Sequence, residues 1–211
     1  VYENRTAVTA GNGNGNGNGN GNGNGNGNGP EKKIEHHGLD TEYPAFVGAD
    51  KLHRLAIDGT GVTIAVLDTG VWTDGNQIEQ GVAQNGHGQD RILAQYNAIS
   101  DVETAGSILA QLLSAPDVAT DLSGHGTHVS SVAASSYKAK MKGNTRLYNG
   151  VAPNADLVVV NSFDDDGVGN YLDVIRGLDW VVSNKDRYGI RVLNLSFSAE
   201  PISFYWDDPL N

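Results

Sequence analysis

The residues Val62-Thr-Ile-Ala-Val-Leu-Asp68-Thr-Gly-Val71 and, further along the chain, Gly124-His125-Gly-Thr-His128 decide the fold. The first stretch is a run of β-branched and aliphatic residues that ends abruptly in a carboxylate and a glycine. Such a run predicts a strand buried on both faces, as in parallel sheets. In open α/β sheets the functional groups lie just beyond the carboxyl ends of such strands, which is where Asp68 stands.

The second stretch places His125 between two glycines, at the start of a run of small residues that predicts a buried helix ending at Ser136. An aspartate at the end of a strand and a histidine at the start of a helix are two of the three members of a charge-relay triad. We therefore expect Asp68 and His125 to meet in space and to form an incomplete site of proton transfer.

The composition limits the classes of function. The chain has 211 residues, enough for one domain with a sizeable core. A net charge of -11 argues against nucleic acid or an anionic membrane surface as a partner. There is no cysteine, so disulfides and thiolate metal sites are absent. No apolar run approaches the roughly 18 residues that are needed to cross a bilayer.

The chain divides into three parts. Residues 1–10 form a short β-prone segment, and residues 11–30 are a Gly-Asn alternation closed by Pro30. Glycine loses much backbone entropy on folding and the tract offers nothing to bury, so we expect a disordered linker. Residues 31–211 form the third part, in which His36 and His37 are read as solvated side chains, with a metal site as the alternative.

Within the third part, three strands are expected beside the one that ends at Asp68: Arg91–Ala98, Asp156–Asn161 and Ile190–Leu195. A helix capped by Asn170 and ended by Gly189 separates the last two. Residues 73–90 are predicted to be a long loop. Alternating strands and helices indicate an α/β fold with a three-layer parallel sheet and helices on both faces.

Five blocks in order, Val66–Gly70, His125–Val129, Gly150–Pro153, Asp166–Tyr171 and Val192–Ser196, resemble the subtilisin-like serine peptidases, or subtilases. The resemblance covers about residues 45 to 200. It implies a serine endopeptidase in which Asp68 orients His125. His125 would then act as general base towards a serine and as acid towards the leaving amine, which suits an imidazole of pKa about 6.5. This chemistry needs no cofactor.

The resemblance also implies an extended polypeptide substrate that adds as a strand between two backbone segments. In this sequence, the two segments would be Gly167, Val168 and Gly169 on one side, and Ser196, Phe197 and Ser198 on the other. Subtilases usually have glycine at or next to the position of Ser198. A larger side chain there is expected to crowd the primary specificity pocket.

The sequence lacks the Gly-Thr-Ser-x-Ala block that carries the nucleophile of the family, and it lacks the oxyanion asparagine. Ser130 and Ser131 cannot substitute, because they would lie on the same helix as His125. The resemblance therefore implies a truncated N-terminal part of a catalytic domain, inactive by itself, with the missing C-terminal part as its partner. Residues 1–10 would be the tail of an inhibitory pro-segment, tethered by the Gly-Asn tract, and the protein would be secreted.

Other readings stay open. The chain could be a catalytically inactive peptide-binding fragment, or a structural protein that assembles through the Gly-Asn tract. His128 could pair with His125 on a metal, although a structural role is the simpler reading. Asp164 to Asp166 could hold a structural calcium, since calcium prefers clustered oxygen ligands, or could form a solvated loop. His87 is flanked by glycines and reads as a loop histidine.

Overall fold

The structure is a computed structural model that describes residues 6–10, 43–73, 77–105, 121–140, 146–199 and 204–207. Four features predicted above lie outside these residues: the Gly-Asn linker, the His36–His37 pair, and the beginning and the end of the third part. Among the described residues, no helix is long and apolar enough to cross a membrane.

The centre of the fold is a five-stranded sheet. Its strands are β2 (Thr63–Asp68), β3 (Ile92–Asn97), β4 (Val102–Ala105), β7 (Asp156–Asn161) and β9 (Ile190–Leu195). They lie side by side in the order β4-β3-β7-β2-β9. All neighbours pair in parallel except β3 and β4, which are antiparallel. The predicted α/β fold is confirmed, and the sheet, which was predicted to be parallel, has one antiparallel edge strand, β4.

Strand β2 lies between β7 and β9, and every one of its six residues is buried. An apolar run such as the one that ends at Asp68 is buried in full only in an inner strand, where both faces of the strand are covered. In register, Asp68 stands opposite Asn161, the last residue of β7. The carboxyl ends of the two central strands therefore open at the same edge of the sheet.

Helices cover both faces of this sheet. On one face lies α5 (Tyr171–Tyr188), whose Val174 and Val181 pack with Leu67 and Val160 from the strands. On the other lie α3 (Gln77–Ala83) and α4 (His125–Ala134), which join the cluster around Val66. Helix α5 begins and ends as predicted: the Asn170 side chain accepts the N–H of Asp173, and Gly189 is left-handed at φ +63°.

The remaining elements are short. Helices α1 (Tyr43–Phe46) and α2 (Ala49–His53) precede β2, and Tyr205–Asp207 forms a 3₁₀ turn. Strands β5 (Lys138–Lys140) and β6 (Arg146–Tyr148) form a hairpin pair. A separate three-stranded sheet has the order β10-β1-β8, in which β1 (Thr6–Thr9) lies between β8 (Val168–Asn170) and β10 (Phe197–Ser198).

Two parts of the sequence prediction were wrong. The stretch predicted as one long loop, residues 73–90, contains α3, because Val82 is fully buried in the core and Gly81 packs closely against Tyr137. Its glycines had suggested a loop, but Gly81 serves a close contact between α3 and the chain that follows α4. The antiparallel edge strand β4 was also missed, since its four residues carry no period that distinguishes them from a loop.

A buried arginine joins the two helices on one face of the sheet. The Arg91 side chain has no solvent exposure, and its guanidinium donates to the carbonyls of Gly81 and Gln84 near the end of α3 and of Ala134 at the end of α4. These carbonyls have no partner within their helices. Burial lowers the pKa of Arg91 to about 10, so the group stays charged at neutral pH.

Replacing Arg91 by methionine keeps much of the volume but removes the donor to the Ala134 carbonyl and leaves the carbonyls of Gly81 and Gln84 with Ser136 as their donor. We expect the free energy of unfolding to fall by about 2–5 kcal/mol, measured by urea denaturation. The matched control is Arg191→Met, because Arg191 is exposed on β9. That variant should lose less than about 0.5 kcal/mol. Equal losses in both variants would contradict the role assigned to Arg91.

Candidate active site

Asp68 and His125 meet at the edge of the sheet where β2 ends. His125 Nδ1 lies 2.7 Å from Asp68 Oδ1, and 57 residues separate the two along the chain. The Asp68 side chain is 1% exposed, whereas that of His125 is 18% exposed. A neutral imidazole that donates from Nδ1 to the carboxylate has an Nε2 that can accept a proton. The geometry is that of the aspartate and histidine of a charge relay.

A close contact between two backbone segments makes this approach possible. A Cβ atom at Gly126 would lie 2.2 Å from the carbonyl oxygen of Gly70, so any other residue would push the start of α4 away from the end of β2. Gly124, on the other side of His125, has φ +76°, a conformation that side chains disfavour. The two glycines that flank His125 are therefore required by its place beside Asp68.

The environment of Asp68 opposes its charge. Burial raises the pKa of this carboxyl, and hydrogen bonds from His125 and from the Thr69 N–H lower it in part. Both of these donors, however, reach the same oxygen, Oδ1. Oδ2 is buried and has no hydrogen-bond partner among the described residues. Ionisation of Asp68 in the folded chain therefore costs stability.

No serine in the described part of the chain completes the triad. Ser130 is fully buried, and the Ser131 hydroxyl donates to the carbonyl of His128 on the same helix. The described residues therefore contain a positioned acid and base, with no hydroxyl bonded to the base.

The two segments predicted to bind substrate do lie on either side of an extended strand, and that strand is the chain's own N-terminal segment. β1 is antiparallel to β8 on one side, with Ala7 opposite Gly169 and Val8 opposite Val168. On its other side it is antiparallel to β10, with Val8 opposite Ser198 and Thr9 opposite Phe197. The N–H groups of Thr9 and Ala10 donate to the carbonyls of Gly167 and Ser196, at 2.9 and 2.7 Å.

Alternate side chains of β1 are buried in this arrangement. Ala7 is fully buried and Thr9 is 3% exposed, whereas Thr6 and Ala10 are exposed. Ala7 belongs to the core cluster that contains Phe163 and Phe197, whose rings lie 5.3 Å apart. A Cβ atom at Gly169 would clash with the Ser162 carbonyl and the Phe163 ring, which explains the glycine in that segment.

The other candidate metal ligands of the sequence are further histidines and the acidic loop of Asp164 to Asp166. His87 is exposed in a turn, as predicted. Among the described residues, no group of three or more histidine, aspartate or glutamate side chains is placed to hold a metal ion. Asp164 Oδ1 accepts the N–H groups of Asp166 and Val168, so its carboxylate shapes the turn before β8. The calcium role of this loop stays a prediction.

One residue of the site was not predicted from the sequence. Asp121 is 2% exposed and lies between the end of β2 and the start of α4. It accepts hydrogen bonds from Thr69 and Thr127, the neighbours in sequence of Asp68 and Gly126. An aspartate a few residues before a helix is a typical capping signal, and it could have identified Asp121. Its link to β2 has no signal in the sequence.

Comparison with known proteins gives a consistent result. The model of the subtilase family matches residues 59–210. The thermostable alkaline protease of Halalkalibacterium halodurans is 27% identical over 155 residues, which are 74% of this chain and 33% of that protein. Alkaline serine exoprotease A of Vibrio alginolyticus is 31% identical over 162 residues, 77% of this chain and 23% of that protein. The chain thus spans a third or less of these two relatives.

A solved structure shares the fold. The CspB protease of Clostridium perfringens superposes with a TM-score of 0.53 at 22% sequence identity, over 70% of this chain and 32% of that one. This similarity supports the arrangement of sheet and helices described above.

The buried charge of Asp68 leads to a prediction about stability and pH. Asp68→Asn should be more stable than the parent at pH 7, by roughly 0.5–2 kcal/mol in urea denaturation. Because the folded-state pKa is raised above the ordinary value of 3.8, the folded parent binds a proton more readily than the unfolded chain. The parent therefore gains stability as the pH falls towards 4, and the advantage of the variant shrinks.

The control is Asp186→Asn, since the Asp186 side chain is 92% exposed. It should change the stability by no more than about 0.5 kcal/mol at any pH. An advantage of Asp68→Asn that grows as the pH falls would contradict the assigned cause.

Proposed function

The chain belongs to the subtilase family, and on that premise we propose that it contributes Asp68 and His125 to an Asp-His-Ser triad that hydrolyses peptide bonds. The hydrogen bond between these two side chains carries the proposal. His125 Nε2 would take the proton of a serine hydroxyl as the serine oxygen attacks the substrate carbonyl. It would then give that proton to the leaving amine, while Asp68 holds the ring and stabilises its charge. The chemistry needs no cofactor.

The serine and the oxyanion asparagine would come from a further part of the catalytic domain. The exposure of β9 supports this proposal: among the described strands it pairs with β2 alone, and its Val192 and Leu195 are 48% and 45% exposed. A sheet edge with exposed apolar residues is a place where another strand can pair. The 211 residues by themselves are then expected to lack hydrolytic activity.

The test is labelling by a fluorophosphonate probe, which reacts with an activated serine. The natural full-length product should be labelled on a serine outside the 211 residues, and the 211-residue chain alone should not be labelled. In the full-length product, His125→Ala should abolish labelling and lower kcat by several orders of magnitude. His87→Ala is the matched control, because His87 is an exposed histidine in a turn, and it should be labelled like the parent.

Labelling of a serine within residues 1–211 would contradict the proposal. So would a full-length His125→Ala variant that reacts as fast as the parent.

We propose further that residues 1–10 are the tail of a pro-segment that occupies the substrate cleft. The pairing of β1 with both β8 and β10 supports this, because these strands contain the residues proposed to bind substrate: Gly167, Val168, Gly169, Ser196, Phe197 and Ser198. The contacts are backbone hydrogen bonds plus alternate buried side chains, as in recognition by strand addition. A polypeptide in the same extended form is the substrate that this cleft would accept.

A tethered occupant competes strongly with free peptide. Tethering through short linkers generally gives effective concentrations in the millimolar range, so a free peptide must bind much more tightly to displace a tethered segment. The catalytically inactive peptide-binding fragment remains the second candidate function, since it needs the cleft but no serine. The β1 contacts support both candidates equally, and the fluorophosphonate experiment distinguishes them.

Opening the cleft should be possible with one substitution. Ala7→Arg places a guanidinium where Ala7 is fully buried beside aromatic rings, so β1 should leave its place. A fluorescent peptide with the sequence of residues 1–10 should then bind at least about tenfold more tightly than to the parent, measured by anisotropy. Thr6→Arg adds the same charge at an exposed neighbour and should bind like the parent. Equal affinities for all three chains would contradict the occupied cleft.

Secretion of the protein is part of the same proposal. The absence of cysteine is compatible with an oxidising environment outside the cell. Immunodetection of the protein in culture medium rather than in the cell extract tests it.

A further inference from the structure

Asp121 is a buried carboxylate at the junction of the two elements that carry the catalytic pair. It lies four residues before His125 and is 2% exposed. Its two oxygens accept four hydrogen bonds from side chains and backbone N–H groups of neighbouring residues. An ordinary helix cap bonds to one helix, whereas Asp121 bonds both to the start of α4 and to Thr69 after β2.

One set of bonds goes to the start of α4. Asp121 Oδ2 accepts the backbone N–H of Thr127 at 2.7 Å and its hydroxyl at 2.6 Å, and Oδ1 accepts the N–H of Gly124 at 2.9 Å. The residue at the N-cap position, Gly124, has no side chain that could satisfy the first turn. Asp121, three residues before Gly124, therefore accepts the backbone N–H of Thr127 in the first turn of α4.

The other bond goes to the end of β2. Asp121 Oδ1 accepts the hydroxyl of Thr69 at 2.7 Å, and the same hydroxyl oxygen accepts the N–H of Gly126 at 2.9 Å. Thr69 in turn donates its own N–H to Asp68 Oδ1 at 2.8 Å, the oxygen to which His125 is bonded. The Thr69 hydroxyl also lies 3.3 Å from Asp68 Oδ1, so Thr69 links Asp121 to the carboxylate of Asp68 through its hydroxyl and its N–H.

We propose that Asp121 is a positioning residue that sets the distance and angle of the hydrogen bond between Asp68 and His125. Its carboxylate holds the last turn of chain after β2 against the first turn of α4, so that these two side chains cannot drift apart independently. It touches neither substrate nor the reacting atoms. Its relevance to catalysis rests on the proposed function, whereas its effect on the Asp68–His125 bond can be measured without a serine.

A neutral side chain cannot take its place. All four groups around Asp121 donate hydrogen bonds, and a carboxylate has two accepting oxygens. An asparagine of the same shape has one, and its NH₂ group would face the backbone N–H of either Thr127 or Gly124, a donor against a donor. Asp121→Asn therefore removes the hydrogen bonds that one of the two oxygens accepts, with little change in side-chain volume.

The test uses the full 211-residue chain with ¹⁵N-labelled histidine. A ring proton held between His125 Nδ1 and a carboxylate gives a resonance at low field, and its loss in His125→Ala assigns it. We expect this resonance to be lost or shifted upfield in Asp121→Asn. The matched control is Asp58→Asn, because Asp58 also accepts from a threonine N–H, a hydroxyl and a side-chain amide, those of Thr60 and Asn154. The control should keep the resonance in place.

A second pair of variants tests the link through Thr69 and does not rely on Asp121→Asn folding. Thr69→Val removes the hydroxyl but leaves the bonds of Asp121 to α4 intact, whereas Thr69→Ser keeps the hydroxyl. The valine variant should lose or shift the resonance, and the serine variant should retain it. A parent that shows no such resonance overturns the proposal, as does an unchanged resonance in Asp121→Asn or Thr69→Val. Failure of fluorophosphonate labelling would instead count against the proposed function alone.

Discussion

The fold depends on a backbone contact: the start of α4 approaches the end of β2 so closely that Gly126 leaves no room for a Cβ atom against the Gly70 carbonyl. This contact joins a helix on one face of the sheet to the carboxyl end of its central strand. The Asp68–His125 bond follows from it, since each of these residues is the last or first of its element. Because the two backbones are in contact, Asp68 and His125 start from backbone positions that are close together, and their side chains have only a short distance to span.

Part of this arrangement could be predicted from sequence because it follows local rules. A run of β-branched and aliphatic residues predicted the buried strand β2. Asn170 and Gly189 predicted the start and the end of α5. The meeting of Asp68 and His125 was also predicted, since functional groups gather beyond the carboxyl ends of parallel strands. In each case the signal lies within a few residues of the feature it predicts.

Other features depend on contacts between distant residues, and these the sequence could not show. The glycines of residues 73–90 predicted a loop, but the structure has helix α3 there. Gly81 in this helix allows a close contact with Tyr137. Asp121 could have been identified as a cap, but its bond to Thr69 exists only once β2 and α4 have met. The residues of β8 and β10 were expected to hold a peptide and residues 1–10 were expected to be β-prone, but the pairing of β1 with both strands joins residues far apart in the chain and has no local signal.

The position of β1 has a consequence for the order of events during synthesis. Its residues leave the ribosome before every strand of the sheet, and the two strands that hold it, β8 and β10, follow far later. Under the proposed function, the groove is filled as soon as its walls fold, ahead of any segment that would bring a nucleophile. Under that proposal, a growing chain would carry the occupant of its own groove by the time both walls have been made.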